Sequence, residues 1–231
     1  VCSPDLLPAE ARSITAANAY NLDLAIRTLD SSACTVVTND FVSGGEGGRI
    51  TVVTGPNSGG KTTFLQAIGL AQVMTQLGLF APARAFSTSA VASVLTHYPA
   101  LEDMTNQTGR FGEEAQRLRA LVESVTPESL VLLNESLSST GLTEAVFLAE
   151  DLLQLLRDVG CTVVFVTHLH DLSAGPVQSL VAKTTPAEDG EQPTYRVVPG
   201  MPQGRSYAQA IARRHGVDGA SLRELAGSAT G

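Results

Sequence analysis

The sequence predicts an α/β fold, a mostly parallel central sheet flanked by helices, from three features. Strand-like and helix-like stretches alternate along the chain, the order that builds parallel sheets. Two strand-like stretches, SLVLL at 129–133 and TVVFV at 162–166, are near-continuous apolar runs, as expected of strands buried on both faces. The third feature is TGPNSGGKTT at 54–63. It fits G-x-x-x-x-G-K-[ST] through Gly55, Gly60, Lys61 and Thr62, between a β-branched run and an apolar helical one.

The elements follow in order. Residues 1–34 read as a linker or helix leading into the domain: Ala and Asn are common, Ile14, Leu22, Leu24, Ile26 and Leu29 recur loosely, and Pro4 and Pro8 break the start. The domain itself is placed at 35–231. A strand is predicted over 35–42, a glycine-rich turn over 44–48 and a second strand over 49–53. Phe64, Leu65, Ile68, Leu70, Ala71, Val73, Met74 and Leu77 mark a helix that ends at Gly78. Residues 78–89 are expected to be irregular, 91–97 a strand and 102–109 a polar loop. A helix over 111–125 presents Ala115, Leu118, Leu121, Val122 and Val125 on one face and stops at Thr126-Pro127. The strand at 129–133 is followed by a helix over 146–156 that Gly160 ends, then by the strand at 162–166. Residues 177–183 and 195–198 are expected to pair as a hairpin around the acidic turn 188–191, and 207–215 and 221–226 to close the chain as helices.

Composition narrows the class. With 231 residues, 43% hydrophobic and 16% charged, the chain suits one good-sized core or at most two small domains of an ordinary soluble protein. No apolar run has the length of a membrane-spanning helix and no secretory signal opens the chain, so a cytoplasmic location without membrane contact is expected. Cys2, Cys34 and Cys161 lack metal-ligand spacing; Cys34 and Cys161 fit small apolar residues in a reducing compartment. The formal net charge of −8, without a basic cluster, makes a poor grip on a nucleic-acid duplex. Val1 in place of Met is consistent with a fragment of a larger polypeptide.

The residue types at 55–63 suit a triphosphate. Glycines let the backbone fold tightly so that several N–H groups face a phosphate, and the following helix points its positive dipole end the same way. Lys61 would reach the β- and γ-phosphates of ATP and the Thr62 hydroxyl would sit on Mg²⁺. After the strand at 129–133 comes Asn134-Glu135-Ser136, where many nucleoside triphosphatases carry an acidic pair. Asn134 can still accept a hydrogen bond from a Mg²⁺-bound water, and Glu135 is the candidate base. His168 follows the next strand at its carboxyl end, where ligands bind in such sheets, and is favoured over His170 as a γ-phosphate sensor or water-orienting group.

These stretches together resemble the ATPase domain of the MutS family of DNA mismatch-repair proteins, a branch of the ABC-type P-loop ATPases. The matching pieces are TGPNSGGKTTFLQAIGLAQ, SLVLLNES with its serine-rich continuation, VVFVTHLHDLS and PGMPQGRSYAQAIARRHGV, covering about 50–217. LTHYPALED and the NES in place of an acidic pair are similar to a divergent bacterial MutS-like subgroup. The resemblance implies that Gly55, Pro56, Asn57, Ser58, Gly59, Gly60, Lys61, Thr62 and Thr63 hold the nucleotide, that Glu135 is the catalytic carboxylate and that His168 is the switch histidine. It implies a homodimer with composite sites, in which Gly109, Arg110 and Phe111 form a signature loop reaching the partner's nucleotide. It also implies DNA contact through domains absent from this segment. Two departures stand out: Asn134 replaces an Asp, and Gly109 replaces a signature serine.

Overall fold

The computed structural model describes residues 1–29, 35–45, 48–100, 109–187, 190–202 and Arg223. Among these described residues ten strands and four α-helices run in the order β1 (Asp5–Leu7), β2 (Ile14–Ala19), α1 (Leu22–Thr28), β3 (Asn39–Ser43), β4 (Ile50–Thr54), α2 (Lys61–Gln76), β5 (Ala85–Ser89), β6 (Ser93–His97), α3 (Gly109–Ser124), β7 (Ser129–Asn134), α4 (Leu142–Val159), β8 (Thr162–Val166), β9 (Gln178–Ala187) and β10 (Gly190–Pro199). The main sheet has six strands in the order β10-β9-β4-β8-β7-β6. All of its neighbours are parallel except β9 and β10, which form an antiparallel hairpin at one edge. A mostly parallel sheet flanked by helices is thus what the chain forms.

Strand period places the core. On the main sheet Val53, Leu130, Leu132, Val164 and Val166 face α2, while Val52, Val131, Leu133, Val163 and Phe165 face α3 and α4, each side with its own buried cluster. Both faces are therefore apolar, which is why β7 and β8 read as continuous hydrophobic runs. Helix α2 lies between two sheets. Its Phe64, Leu65, Ile68 and Ala71 meet the main sheet and also Ile14, Ala16, Phe41 and Phe86 of a second, four-stranded sheet ordered β1-β5-β2-β3. Phe41 meets Phe64 edge to face with ring centroids 5.7 Å apart.

The second sheet corrects two expectations. Residues 1–34, read as a linker or helix, supply β1, β2 and α1; β2 pairs antiparallel with both β3 and β5, so the sheet crosses the expected boundary at 34–35. Residues 78–89, read as irregular, supply β5. Neither ITAANA nor AFSTS carries an apolar run, and alanine and serine are poor strand formers. Pairing on both edges decides the outcome, with small side chains such as Ala16 and Ala19 filling the narrow space over α2. Buried Gln72 of α2 adds a polar tie: its amide donates to Ser89 O at 3.0 Å and its carbonyl accepts from Thr88 Oγ1.

Other elements lie near their expected places: the predicted strand at 91–97 is β6, and the hairpin at 177–198 is β9–β10. The polar loop at 102–109, except Gly109, the acidic turn residues Glu188 and Asp189, Cys34 and the closing helices at 207–226, except Arg223, lie outside the described residues. Cys161 is buried, and burial pushes its thiol up to about 11, in keeping with a small apolar role. Among the described residues no helix is long and apolar enough to cross a membrane.

Gly69 sits where α2 crosses the sheet, and a Cβ there would stand 2.5 Å from Leu132 Cδ1. Gly69→Ala therefore trades better helix propensity for a clash that Leu132 must relieve by changing rotamer. A net loss of about 1–2 kcal/mol is expected in urea unfolding; a gain in stability would mean that the interface has slack.

Candidate nucleotide site

Register brings three strand ends together. Val53 of β4 lies opposite Val166 of β8, and Val166 opposite Asn134 of β7, so the residues following each strand emerge side by side. The loop after β4 is shaped by glycine. Gly55 has φ +131°, and a Cβ there would meet Ala182 of β9 at 2.9 Å, so only glycine lets the loop lie against the hairpin. Gly60, with φ +87°, is the residue before α2, and no side chain caps that helix end. The first-turn N–H groups of Lys61, Thr62 and Thr63 thus open the helix without a side-chain cap, the arrangement that favours an anion.

The side chains gather around this end. Lys61 is 5% exposed, and its Nζ donates to Gly55 O at 3.0 Å and to Pro56 O at 2.9 Å. Burial lowers its pKa, and Glu135, with Oε1 3.8 Å away, partly offsets that. Thr62 Oγ1 donates to Asn134 Oδ1 at 2.8 Å. His168 Nε2 lies 3.0 Å from Glu135 Oε1. Both histidines are exposed, but His168 reaches Glu135, whereas His170 opens the 3-10 turn His170–Ala174.

Glu135 occupies a strained position. Its φ is +50° and that of Leu137 is +67°, both in the left-handed region that non-glycine residues rarely adopt. The turn is held from several sides. Glu135 N–H donates to Val166 O at 2.8 Å, and Leu137 N–H to Glu114 Oε1 at 2.7 Å. Ser136 Oγ lies 2.7 Å from His97 Nδ1, and Ser139 Oγ donates to Glu114 Oε2. Burial lowers the pKa of His97, which Glu114 opposes and Arg117 reinforces.

A cavity of about 600 Å³ opens beside the loop. Asn57, Ser58, Gly59, Gly60, Lys61, Thr62, Thr63 and Glu135 line it from the loop, the start of α2 and the turn after β7, and Tyr20, Asn21, Leu24, Val37, Asn39 and Tyr195 from neighbouring segments. This second set is a part of the site that the sequence did not reveal. Tyr195 sits in a bulge of β10 with φ +57°, where the hairpin register shifts, and its ring packs against Gly60. Asn39 of β3 clamps this bulge by donating to Tyr195 O at 3.0 Å and accepting from Val197 N–H at 2.7 Å. Pro193 within a strand was the available local sign of a bulge. Gly109, Arg110 and Phe111 do not line the cavity; they form the first turn of α3, where Gly109 has φ +70°.

A nucleotide and a magnesium ion fit these donors. An uncapped helix end and a buried ammonium suit phosphates, and the oxygen donors Thr62 Oγ1, Asn134 Oδ1 and the Glu135 carboxylate suit a hard cation that keeps several waters. Among the described residues there is no group of three or more His, Cys, Asp or Glu that could hold a metal ion.

Comparison with known proteins gives the family. The family model described as MutS domain V matches residues 51–218. Endonuclease MutS2 of Thermomicrobium roseum is 34% identical over 203 residues, covering 80% of this chain and 24% of the relative. Endonuclease MutS2 of Geobacillus thermodenitrificans is 37% identical over 186 residues, covering 79% and 24%. DNA mismatch repair protein msh-3 of Neurospora crassa is 32% identical over 158 residues, covering 68% and 14%. The chain spans a quarter or less of the length of these relatives. Over residues 51–218, which take in β4 and the turns at Asn134-Glu135 and His168, the chain matches MutS domain V, and it belongs to the MutS family.

Proposed function

We propose that this domain binds Mg·ATP in the cavity beside α2 and hydrolyses it as half of a homodimer serving a DNA-processing protein. The observation that carries this reading is the meeting of Thr62 with Asn134, and of Lys61 and His168 with Glu135, at adjacent parallel strand ends, with Lys61, Thr62 and Glu135 lining the cavity. The phosphates would lie on the N–H groups of residues 57–63 with Lys61 beside them. The ribose and base would lie in the rest of the cavity, among Tyr195, Tyr20 and Val37. Thr62 and Asn134 would hold Mg²⁺, which when bound offsets charge on the β- and γ-phosphates.

Glu135 would accept a hydrogen bond from the attacking water and draw its proton away as the γ-phosphoryl transfers. His168, at 3.0 Å, holds that carboxylate in place and lies where it can meet the γ-phosphate. Lys61 offsets negative charge that develops in transfer. Gly109, Arg110 and Phe111, lying outside the cavity of their own chain, would complete the partner's site, with backbone N–H groups or Arg110 doing what a serine would do. Relatives named for DNA mismatch repair, together with the charge of −8, support DNA contact made by other segments of a longer protein. Calorimetric titration with ATP and Mg²⁺, followed by a phosphate-release assay at concentrations that favour the dimer, tests the reading. No heat of binding to ATP or ADP would overturn it.

Asn134 favours a second reading, a nucleotide-gated dimerisation module with little hydrolysis, because a neutral amide stands where a carboxylate would hold the metal. ATP binding without phosphate release would select it. Under the first reading Asn134→Asp adds one negative charge beside Thr62, and the Mg²⁺ concentration for half-maximal ATP binding should fall about tenfold. An unchanged magnesium requirement would remove Asn134 from the metal site.

A further inference from the structure

Glu114 is a carboxylate that the proposed chemistry does not use, yet it is 5% exposed, on α3 near His97 of β6. Burying a charge is costly unless its oxygens are met, and both are: Leu137 N–H donates to Oε1 at 2.7 Å and Ser139 Oγ to Oε2. Both donors lie in the turn that begins with Glu135. With φ of +50° at Glu135 and +67° at Leu137, that turn persists only if its surroundings over-determine it. Val166 O fixes its first residue and His97 its second; Glu114 fixes its third and fifth. We propose that Glu114 is a positioning residue for Glu135, its two oxygens holding the strained turn so that the Glu135 carboxylate stays beside Lys61 and His168.

This rests on the hydrolytic role given to Glu135 above, and it adds a mechanical link. Glu114 sits little more than one turn into α3, the helix that begins with Gly109-Arg110-Phe111. A displacement of that helix start reaches Glu135 through a single side chain. Without Glu114 the turn would relax toward ordinary backbone angles, and a shift of about 1 Å in a catalytic group can cost about a hundredfold in rate.

The test compares the wild-type chain with E114A, E114Q and S139A by three measurements: amide hydrogen exchange at Leu137, affinity for a fluorescent ATP analogue with Mg²⁺, and ATP turnover at saturating nucleotide. In E114A the Leu137 amide should exchange at least about tenfold faster, affinity should stay within about twofold, and turnover should fall about 10- to 100-fold. E114Q keeps a carbonyl for Leu137 N–H and an amide for Ser139, and should recover turnover to within about fivefold of wild type. S139A removes one contact only, and should show the same pattern at about threefold; with E114Q it carries the test if E114A does not fold.

Unchanged exchange at Leu137 would overturn the proposal, whatever the turnover. So would faster exchange with wild-type turnover, or affinity and melting temperature falling in step with turnover, the signature of a merely structural residue. Faster exchange in a protein whose wild-type form binds ATP but releases no phosphate would instead overturn the hydrolytic reading and, with it, the catalytic purpose assigned to the tether.

Discussion

Glu135→Ala is expected to leave ATP affinity within about twofold while lowering turnover about a thousandfold. The asymmetry follows from where the carboxylate lies. Its Oε1 is 3.0 Å from His168 Nε2 and 3.8 Å from Lys61 Nζ, at the edge of the phosphate end rather than among the N–H groups that would hold the phosphates. Removing it withdraws the acceptor for the attacking water and leaves the anion-binding loop whole. It also takes away an anion that competes with phosphate for Lys61. Phosphate release and nucleotide titration on one preparation measure both effects. Steady-state hydrolysis at the wild-type rate, with dimerisation intact, would show that another group prepares the water.

Lys61→Ala is expected to have the opposite profile, with ATP affinity lost by about a hundredfold or more and no measurable turnover. Lys61 is 5% exposed and its ammonium spans the carbonyls of Gly55 and Pro56, so it both closes the loop and presents charge to its interior. Burial has already lowered its pKa, which means that the protein carries an ammonium with little water around it. A phosphate supplies what the missing water would have supplied, and the contact is strong because little water must be stripped from the ammonium first. Alanine also leaves two carbonyls without their donor, so a modest fall in melting temperature should accompany the loss. Affinity within a few-fold of wild type would place the triphosphate somewhere other than this loop.

The parts of the fold that sequence made legible are those whose signals are local. β7 and β8 are buried on both faces and read as apolar runs; α2 and α4 carry stripes of large residues; glycines punctuate the ends at Gly78 and Gly160. The convergence of Thr62, Asn134, Glu135 and His168 could be anticipated because parallel strands in register deliver their following residues to one edge. Of the second sheet, β3 overlaps the strand expected over 35–42, but β2 and β5 could not be anticipated. They are short and rich in alanine and serine, and they are specified by what they pair with rather than by what they contain. The Asn39–Tyr195 part of the cavity was hidden for the same reason: the two residues are 156 positions apart, and only the finished packing of β3 against the β10 bulge makes them neighbours.

That packing bears on how the protein can be cut. The matched family span begins at residue 51, after β1, β2 and β3, yet those strands cover α2 and furnish Asn39, the residue that keeps Tyr195 against Gly60. A recombinant piece started at the family boundary would leave β5 without a companion, lay bare the flank of α2 that Phe41 and Ile14 now shelter, and lose one wall of the cavity. The unit competent to fold and to receive a ligand is wider than the region by which its kinship is detected.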